Sequence, residues 1–134
     1  MDFKLKTGEQ LRTVIAKKES ATVIEAGDMV TLASGYIVKA GAASTAIAWC
    51  PNGAAAGVTD VEVTLGNEFT LVGTADANFA ITDKGLLQDL KGTTDMLIDL
   101  GTSSTNVIQI AIGETAGTVG STDNVEFKIA KPLF

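Results

Sequence analysis

The side chains able to do chemistry in this chain are few and thinly spread. Asp76, Asp83, Asp89, Asp95 and Asp99 form a loose acidic series in the second half. Carboxylates at that density could ligate calcium, a hard cation that takes oxygen ligands, but their spacing fits no calcium-binding loop with its obligatory glycine turn. The series therefore reads as strand ends and turns, where an aspartate bonds nearby backbone. Cys50 is the single cysteine, and the chain has no histidine. A disulfide within the chain and a thiolate zinc site are thereby excluded. A nucleophilic thiol would need a base partner, so Cys50 reads as a small buried hydrophobe. "TSSTN" (102–106) offers hydroxyls without a base and reads as a turn. No glycine run ends in the Gly-Lys-Ser/Thr of a phosphate loop. "TDKG" (82–85) lacks the flanking residues of a lipoyl-bearing lysine. The expectation is a protein that is not an enzyme and uses no cofactor or metal.

A chain of this kind must act through its surfaces, and the elements that build them come next. Its 134 residues suffice for one domain with a real core. Apolar residues make up 46% of it, which places it among globular chains. Aromatics are only 5%, and alanine supplies much of the apolar share. A core so thin predicts burial between subunits, and hence a homotrimer. Glycine and threonine are plentiful while proline is scarce, as short strands joined by glycine turns require.

Alternation locates the strands. In "AGDMVTLASGYIVKA" (26–40), Val30 and Leu32 alternate before a Ser-Gly pair, and Tyr36 and Val38 after it. A two-residue Ser34-Gly35 loop would set Leu32 against Ile37 and Val30 against Lys39, mixing the faces. A three-residue loop, Ala33-Ser34-Gly35, sets Leu32 opposite Tyr36 and Val30 opposite Val38. It also puts Gly35 at the left-handed position of a bulged type I turn. Parity predicts the three-residue loop. The same reasoning on "VEVTLGNEFTLV" (61–72) predicts a hairpin around Gly66-Asn67-Glu68, pairing Leu65 with Phe69 and Val63 with Leu71.

"DFKLK" (2–6), Ile47 to Trp49, "MLIDL" (96–100), "NVIQIAIG" (106–113) and "NVEFKIAK" (124–131) read as further strands. Residues 51–53 read as a loop before a small-residue linker. Residues 82–90 fit either a short helical turn or a third hairpin. The whole predicts a mainly β fold: a small single-domain barrel or sandwich of short antiparallel strands with an extended N-terminal arm. Residues 1–18 hold the arm and first strand, and 19–134 the β domain.

Charge divides at the same boundary. Residues 1–18 carry a net +3, through Lys4, Lys6, Arg12, Lys17 and Lys18 against Asp2 and Glu9, within a chain of net −6. An acidic body does not attract a phosphate backbone, so no nucleic-acid partner is expected. No apolar run reaches the roughly 20 residues of a membrane span. The opening "MDFKLKTGEQ" lacks the apolar core of a secretion signal, which predicts a protein made in the cytoplasm with no membrane partner. In the arm, Phe3 and Leu5 alternate with Lys4 and Lys6. That pattern suits an edge strand that docks on another subunit, and equally one that pairs with the chain's own "VEFKIAK" strand.

"IEAGDMVTLASGYIVKAGAASTAIAWCPNGAAAGVTDVEVTLGNEF" (24–69) resembles the small head-decoration, or cement, proteins of tailed bacteriophages, loosely the lambda-like ones. The shared theme is a Gly-Asp start, a strand, a glycine turn, a second strand ending in Val-Lys-Ala, an Ala/Gly-rich segment with "AIA", and a "VEVTL" strand. "WCPNG" (49–53) departs from that pattern. The resemblance implies a virion protein on the outer surface of the mature capsid, made in the host cytoplasm, with the major capsid protein as its partner. It would bind as a homotrimer, clamp neighbouring capsid subunits and stabilise the head against internal DNA pressure. The family's arm orders on binding and adds a strand to a capsid sheet, which makes Phe3, Lys4, Leu5 and Lys6 the candidate capsid-binding residues. The alternative is another virion or cell-surface β module, such as a fibre base or a carbohydrate-binding domain. Sugar stacking would then fall to Trp49 and Tyr36, the only Trp and Tyr present.

Overall fold

The computed structural model describes residues 3–8, 11–92 and 96–134, and of residues 7 and 8 only the backbone. The described chain is mainly β, as expected. Its strands are β1 (Lys4–Gly8), β2 (Thr13–Lys17), β3 (Met29–Ala33), β4 (Tyr36–Lys39), β5 (Ala48–Trp49) and β6 (Asp60–Thr64). They continue with β7 (Phe69–Gly73), β8 (Leu87–Lys91), β9 (Leu97–Asp99), β10 (Ile108–Ile110) and β11 (Val125–Ile129). A single 3-10 turn, Ile81–Asp83, precedes β8.

Two lobes share the chain. The first is a six-stranded antiparallel sheet in the order β1-β7-β11-β10-β8-β9. It curls back on itself just past β7. There Ala75 pairs with Ile98, the Ile98 N–H donates to the Thr74 carbonyl, and the Asp76 N–H donates to the Ile98 carbonyl. The period-2 pattern explains the interior: Val125, Phe127 and Ile129 point inward from β11 while Lys128 faces solvent. Leu71, Leu90, Ile98, Ile108 and Ile110 complete that core.

In the second lobe the β2–β6 ribbon faces the β4-β3-β5 sheet across a smaller core of Ile24, Val30, Ile37, Ala48, Cys50, Val61 and Val63. The β4-β3-β5 sheet is the wall between the lobes. Met29, Ala40 and Trp49 lie in the first core, whereas their neighbours Val30, Ala48 and Cys50 lie in the second.

That shared wall overturns the first turn assignment. Ala33 pairs with Tyr36, Leu32 with Ile37 and Val30 with Lys39, so the loop is the two-residue Ser34-Gly35. Both loop residues have positive φ, at 52° and 84°, the mark of a type I′ turn whose twist matches the flanking strands. The parity argument assumed one buried face. Both faces are buried at the base of this hairpin, while Leu32 and Tyr36 near its tip are exposed.

The second hairpin does not exist. β6 pairs with β2, and β7 pairs with β1 and β11. Val61 and Val63 belong to one core, Phe69 and Leu71 to the other, so residues 65–68 carry the chain from lobe to lobe. The backbone there is held elsewhere: the Leu65 N–H donates to the Arg12 carbonyl and the Gly66 N–H to that of Phe134. Residues 82–90, left open between turn and hairpin, hold the end of the 3-10 turn and most of β8. The strand expected over 106–113 is shorter, ending at Ile110.

The opening segment belongs to its own sheet. β1 lies antiparallel to β7, and the Phe3 ring packs edge-on against Phe127 with centroids 4.8 Å apart. Gly73 makes room for it, because a Cβ there would sit 2.2 Å from Phe3 Cδ1. Phe3→Ala is expected to cost about 3–5 kcal/mol, as a large-to-small change at a fully buried aromatic. Gly73→Ala should also destabilise, but less in the Phe3→Ala background than alone, because the two share one space. Denaturant unfolding of the four proteins in the cycle checks both statements. Gly35→Val should cost roughly 1 kcal/mol through its φ alone, since nothing lies within 4 Å of the added Cβ. An unchanged unfolding midpoint would refute that.

Candidate interaction surface

The four residues singled out at the N-terminus part company. Phe3 is 1% exposed and its N–H donates to the Gly27 carbonyl, so it anchors the chain to itself and is not free to fill a partner's pocket. Lys4, Leu5 and Lys6 are exposed, with Leu5 at 41%. Lys4 pairs with Val72 and Leu5 with Leu71, and the register slips by one residue at Lys6 before Thr7 meets Thr70. A bulge of that kind twists an edge strand. The Lys6 ammonium crosses β7 to the Glu126 carboxylate at 2.6 Å. β1 ends the sheet order, and its flank away from β7 pairs with no strand among the described residues. The arrangement is an ordered edge strand with one exposed aliphatic side chain between two lysines.

The acidic series is used inside the fold. Asp89 is 2% exposed, and one carboxylate oxygen accepts the N–H groups of Ser104, Thr105 and Asn106 at 2.9–3.0 Å. "TSSTN" is therefore a turn, as expected, wrapped around a carboxylate. Asp83 accepts the Ala80 N–H, which closes the 3-10 turn. Asp76 accepts the Leu100 N–H and meets the Lys91 ammonium at 3.2 Å. Asp95 lies outside the described residues. Cys50 is buried in the second core, where desolvation pushes its thiol pKa up. Trp49 is also buried, its Nε1–H donating to the Gly27 carbonyl, so of the two candidate stacking residues Tyr36 alone is exposed.

A second exposed surface was not anticipated. Ile81, Leu86, Ile112 and Val119 are 46–78% exposed on the loops that flank β8 and β10. Alternation in "IQIAIG" would have buried Ile112, but pairing with β11 stops at Ile110. The sequence signal was the glycine-rich stretch after it, a loop that frees Ile112 from the barrel interior. Set against known proteins, the chain matches no family model, no curated protein and no solved structure.

One charge pair sets a pH dependence. Asp99 has its pKa raised, chiefly by burial and next by the Asp76 carboxylate, to which it is also hydrogen-bonded; Thr102 and Lys91 pull it the other way. A folded-state pKa above the unfolded value means the native chain binds more protons between the two. The stability this contributes is complete below about pH 4 and is lost as pH rises through the folded value. Asp99→Asn keeps a donor toward Asp76 and removes the charge. The variant should melt higher than the parent at pH 7 and show a flatter profile on the acid side. Equal melting temperatures at every pH would refute the assignment.

Proposed function

We propose that this chain is a virion structural protein that sits on the outer surface of a mature phage capsid and clamps neighbouring major capsid subunits as a homotrimer, stabilising the head against internal DNA pressure. The observation that carries the reading is the ordered edge strand β1, with Lys4, Leu5 and Lys6 exposed along it. An exposed sheet edge accepts a further strand through backbone hydrogen bonds, without sequence-specific chemistry. The resemblance of residues 24–69 to head-decoration proteins points the same way. The family expectation of an arm that orders on binding is modified here. Phe3 holds β1 in place beforehand, so the capsid meets a preformed edge and the cost of ordering the segment on binding is small.

Leu5 is the anchor of that edge, and full burial of a leucine contributes about 1.5–3 kcal/mol. The lysines on either side add less, and salt screens them. The test uses expanded capsid shells lacking any decoration protein. The wild-type chain should co-sediment with them. Lys4→Glu with Leu5→Asp should lose at least about tenfold in affinity while melting within a few degrees of the parent, because both side chains are exposed. A wild-type chain that ignores the shells would overturn the reading. A variant that binds as well as the parent would remove β1 from it.

A further inference from the structure

We propose that Asn52-Gly53, in the turn between β5 and β6, is a site of spontaneous modification, at which Asn52 closes on the Gly53 nitrogen, loses ammonia and reopens in water as aspartate or isoaspartate. The inference stands on this turn alone and is independent of the capsid reading. Of the five asparagines in the chain, only Asn52 precedes a glycine. A residue with no side chain leaves its backbone nitrogen open to close approach.

The turn is fixed at both ends and unbonded between them. The Cys50 N–H donates to the Asp28 carbonyl at 2.9 Å, and the Cys50 carbonyl accepts the Gly27 N–H at 2.8 Å. Ala54 exchanges two backbone bonds with Ile24, at 2.8 and 2.9 Å. Pro51, Asn52 and Gly53 bond to no other backbone group among the described residues. The Gly53 N–H faces the Cys50 sulfur, a weak acceptor. Its nitrogen is therefore not committed to a strong partner. Asn52 is exposed, and one bond ties its amide: Nδ2 donates to Glu62 Oε1 at 2.7 Å. Glycine is obligatory beside it. Gly53 has a φ of 69°, and a Cβ there would stand 2.6 Å from the Ala26 nitrogen and 2.7 Å from the Ile24 carbonyl oxygen. The fold thus requires the very residue that makes its neighbour reactive.

The step balances with water as the co-reactant. Solvent hydroxide takes the Gly53 amide proton, and the nitrogen attacks Asn52 Cγ. The Cγ–Nδ2 bond breaks, and ammonia leaves with a proton from water. Water then opens the cyclic imide at either carbonyl. Opening at Cγ gives aspartate. Opening at the main-chain carbonyl gives isoaspartate, whose backbone runs through Cβ and is longer by a methylene. Both products add a negative charge to a chain of net −6. In the aspartate form that charge meets Glu62 where the amide donated to it, so attraction becomes repulsion. In the isoaspartate form the added length falls between the anchored Cys50 and Ala54, where Gly53 has no room toward Ile24. Cys50 lies in the second core and Ala54 packs against it, so the smaller lobe loosens first.

The experiment incubates the full chain at mildly alkaline and at mildly acidic pH, and follows it by peptide mapping and isoaspartyl-methyltransferase labelling. Asn52 should be the first asparagine to lose its amide, faster at the alkaline pH, with methyl-accepting isoaspartate in the same peptide. Aged protein should melt lower than fresh protein. Aged Asn52→Gln should not, because glutamine would have to close a larger ring. Asn52→Asp should melt below the parent at neutral pH, and the deficit should shrink in high salt and in the Glu62→Gln background. An Asn52 left intact in the native chain, or one that reacts only after unfolding in urea, would overturn the inference. Amide loss at Asn52 with no fall in melting temperature would keep the site and overturn its effect on the second lobe.

Discussion

The carbonyl of Gly27 and the missing side chain of Gly73 together hold the two lobes to one N-terminus. Gly27, at the entrance to β3, accepts N–H groups from both Phe3 and the Trp49 indole. Gly73, on β7, leaves the volume that the Phe3 ring occupies against Phe127. One residue thus bonds to the second lobe through its backbone and packs into the first through its ring. An aromatic-poor chain gains a great deal from each ring it buries. With Phe3 in place, β1 has one register, and its exposed edge becomes a fixed surface. Without that ring the segment would keep the ladder to β7, the Gly27 bond and the Lys6–Glu126 pair but lose its buried apolar anchor, and more of its ordering entropy would fall on any partner that bound it.

The same economy of rings explains the shared wall. Alanine and valine fill the second core, which is too small to be sealed on its own. The β4-β3-β5 sheet closes it with one face and covers the first core with the other, so Met29 and Trp49 serve the larger core from a strand pair that also serves the smaller. Polar groups at the junction are satisfied. The Trp49 N–H bonds the Thr64 hydroxyl, and the Asp28 carboxylate accepts the Glu25 N–H while it meets the Lys39 ammonium at 3.2 Å. Buried acids without such partners would be costly.

Much of the fold was legible in the sequence, and the failures have a common cause. Val125, Phe127 and Ile129 alternate against one buried face, and that strand stands where the pattern put it. The hairpin over 26–40 exists, and Gly35 has the left-handed φ expected of it. Its register was misread because a residue that alternates into a second core cannot be told from one that alternates into solvent. Val61 and Val63 alternate as Phe69 and Leu71 do, yet the two pairs face different cores. Nothing local separates a hairpin from a passage between lobes. Of the candidate site, Lys4, Leu5 and Lys6 stand exposed on an edge strand, whereas Phe3 belongs to the core, a distinction that depends on the absent Cβ of Gly73, many residues away. Lys18 is a further case. It was counted with a basic arm, but it is buried, with its ammonium on the Thr22 and Glu19 carbonyls.

The residues that looked most chemical explain why surfaces are left to act. Asp28, Asp76, Asp83 and Asp89 each accept a backbone N–H, and Asp89 accepts three. A short aspartate does in these turns what a helix cap does elsewhere: it satisfies donors that no strand ladder reaches. A turn closed in this way needs no strand ladder of its own, and an aliphatic side chain on it can stay exposed. Ile81 sits on the turn that Asp83 closes, and Leu86 follows it just before β8. Asp83, Asp76 and Asp89 hold the turn at 80–83 and the backbone at 100 and 104–106, whereas Ile112 and Val119 lie on a loop held by the backbone bonds of Phe79 with Ser121 and Gly120.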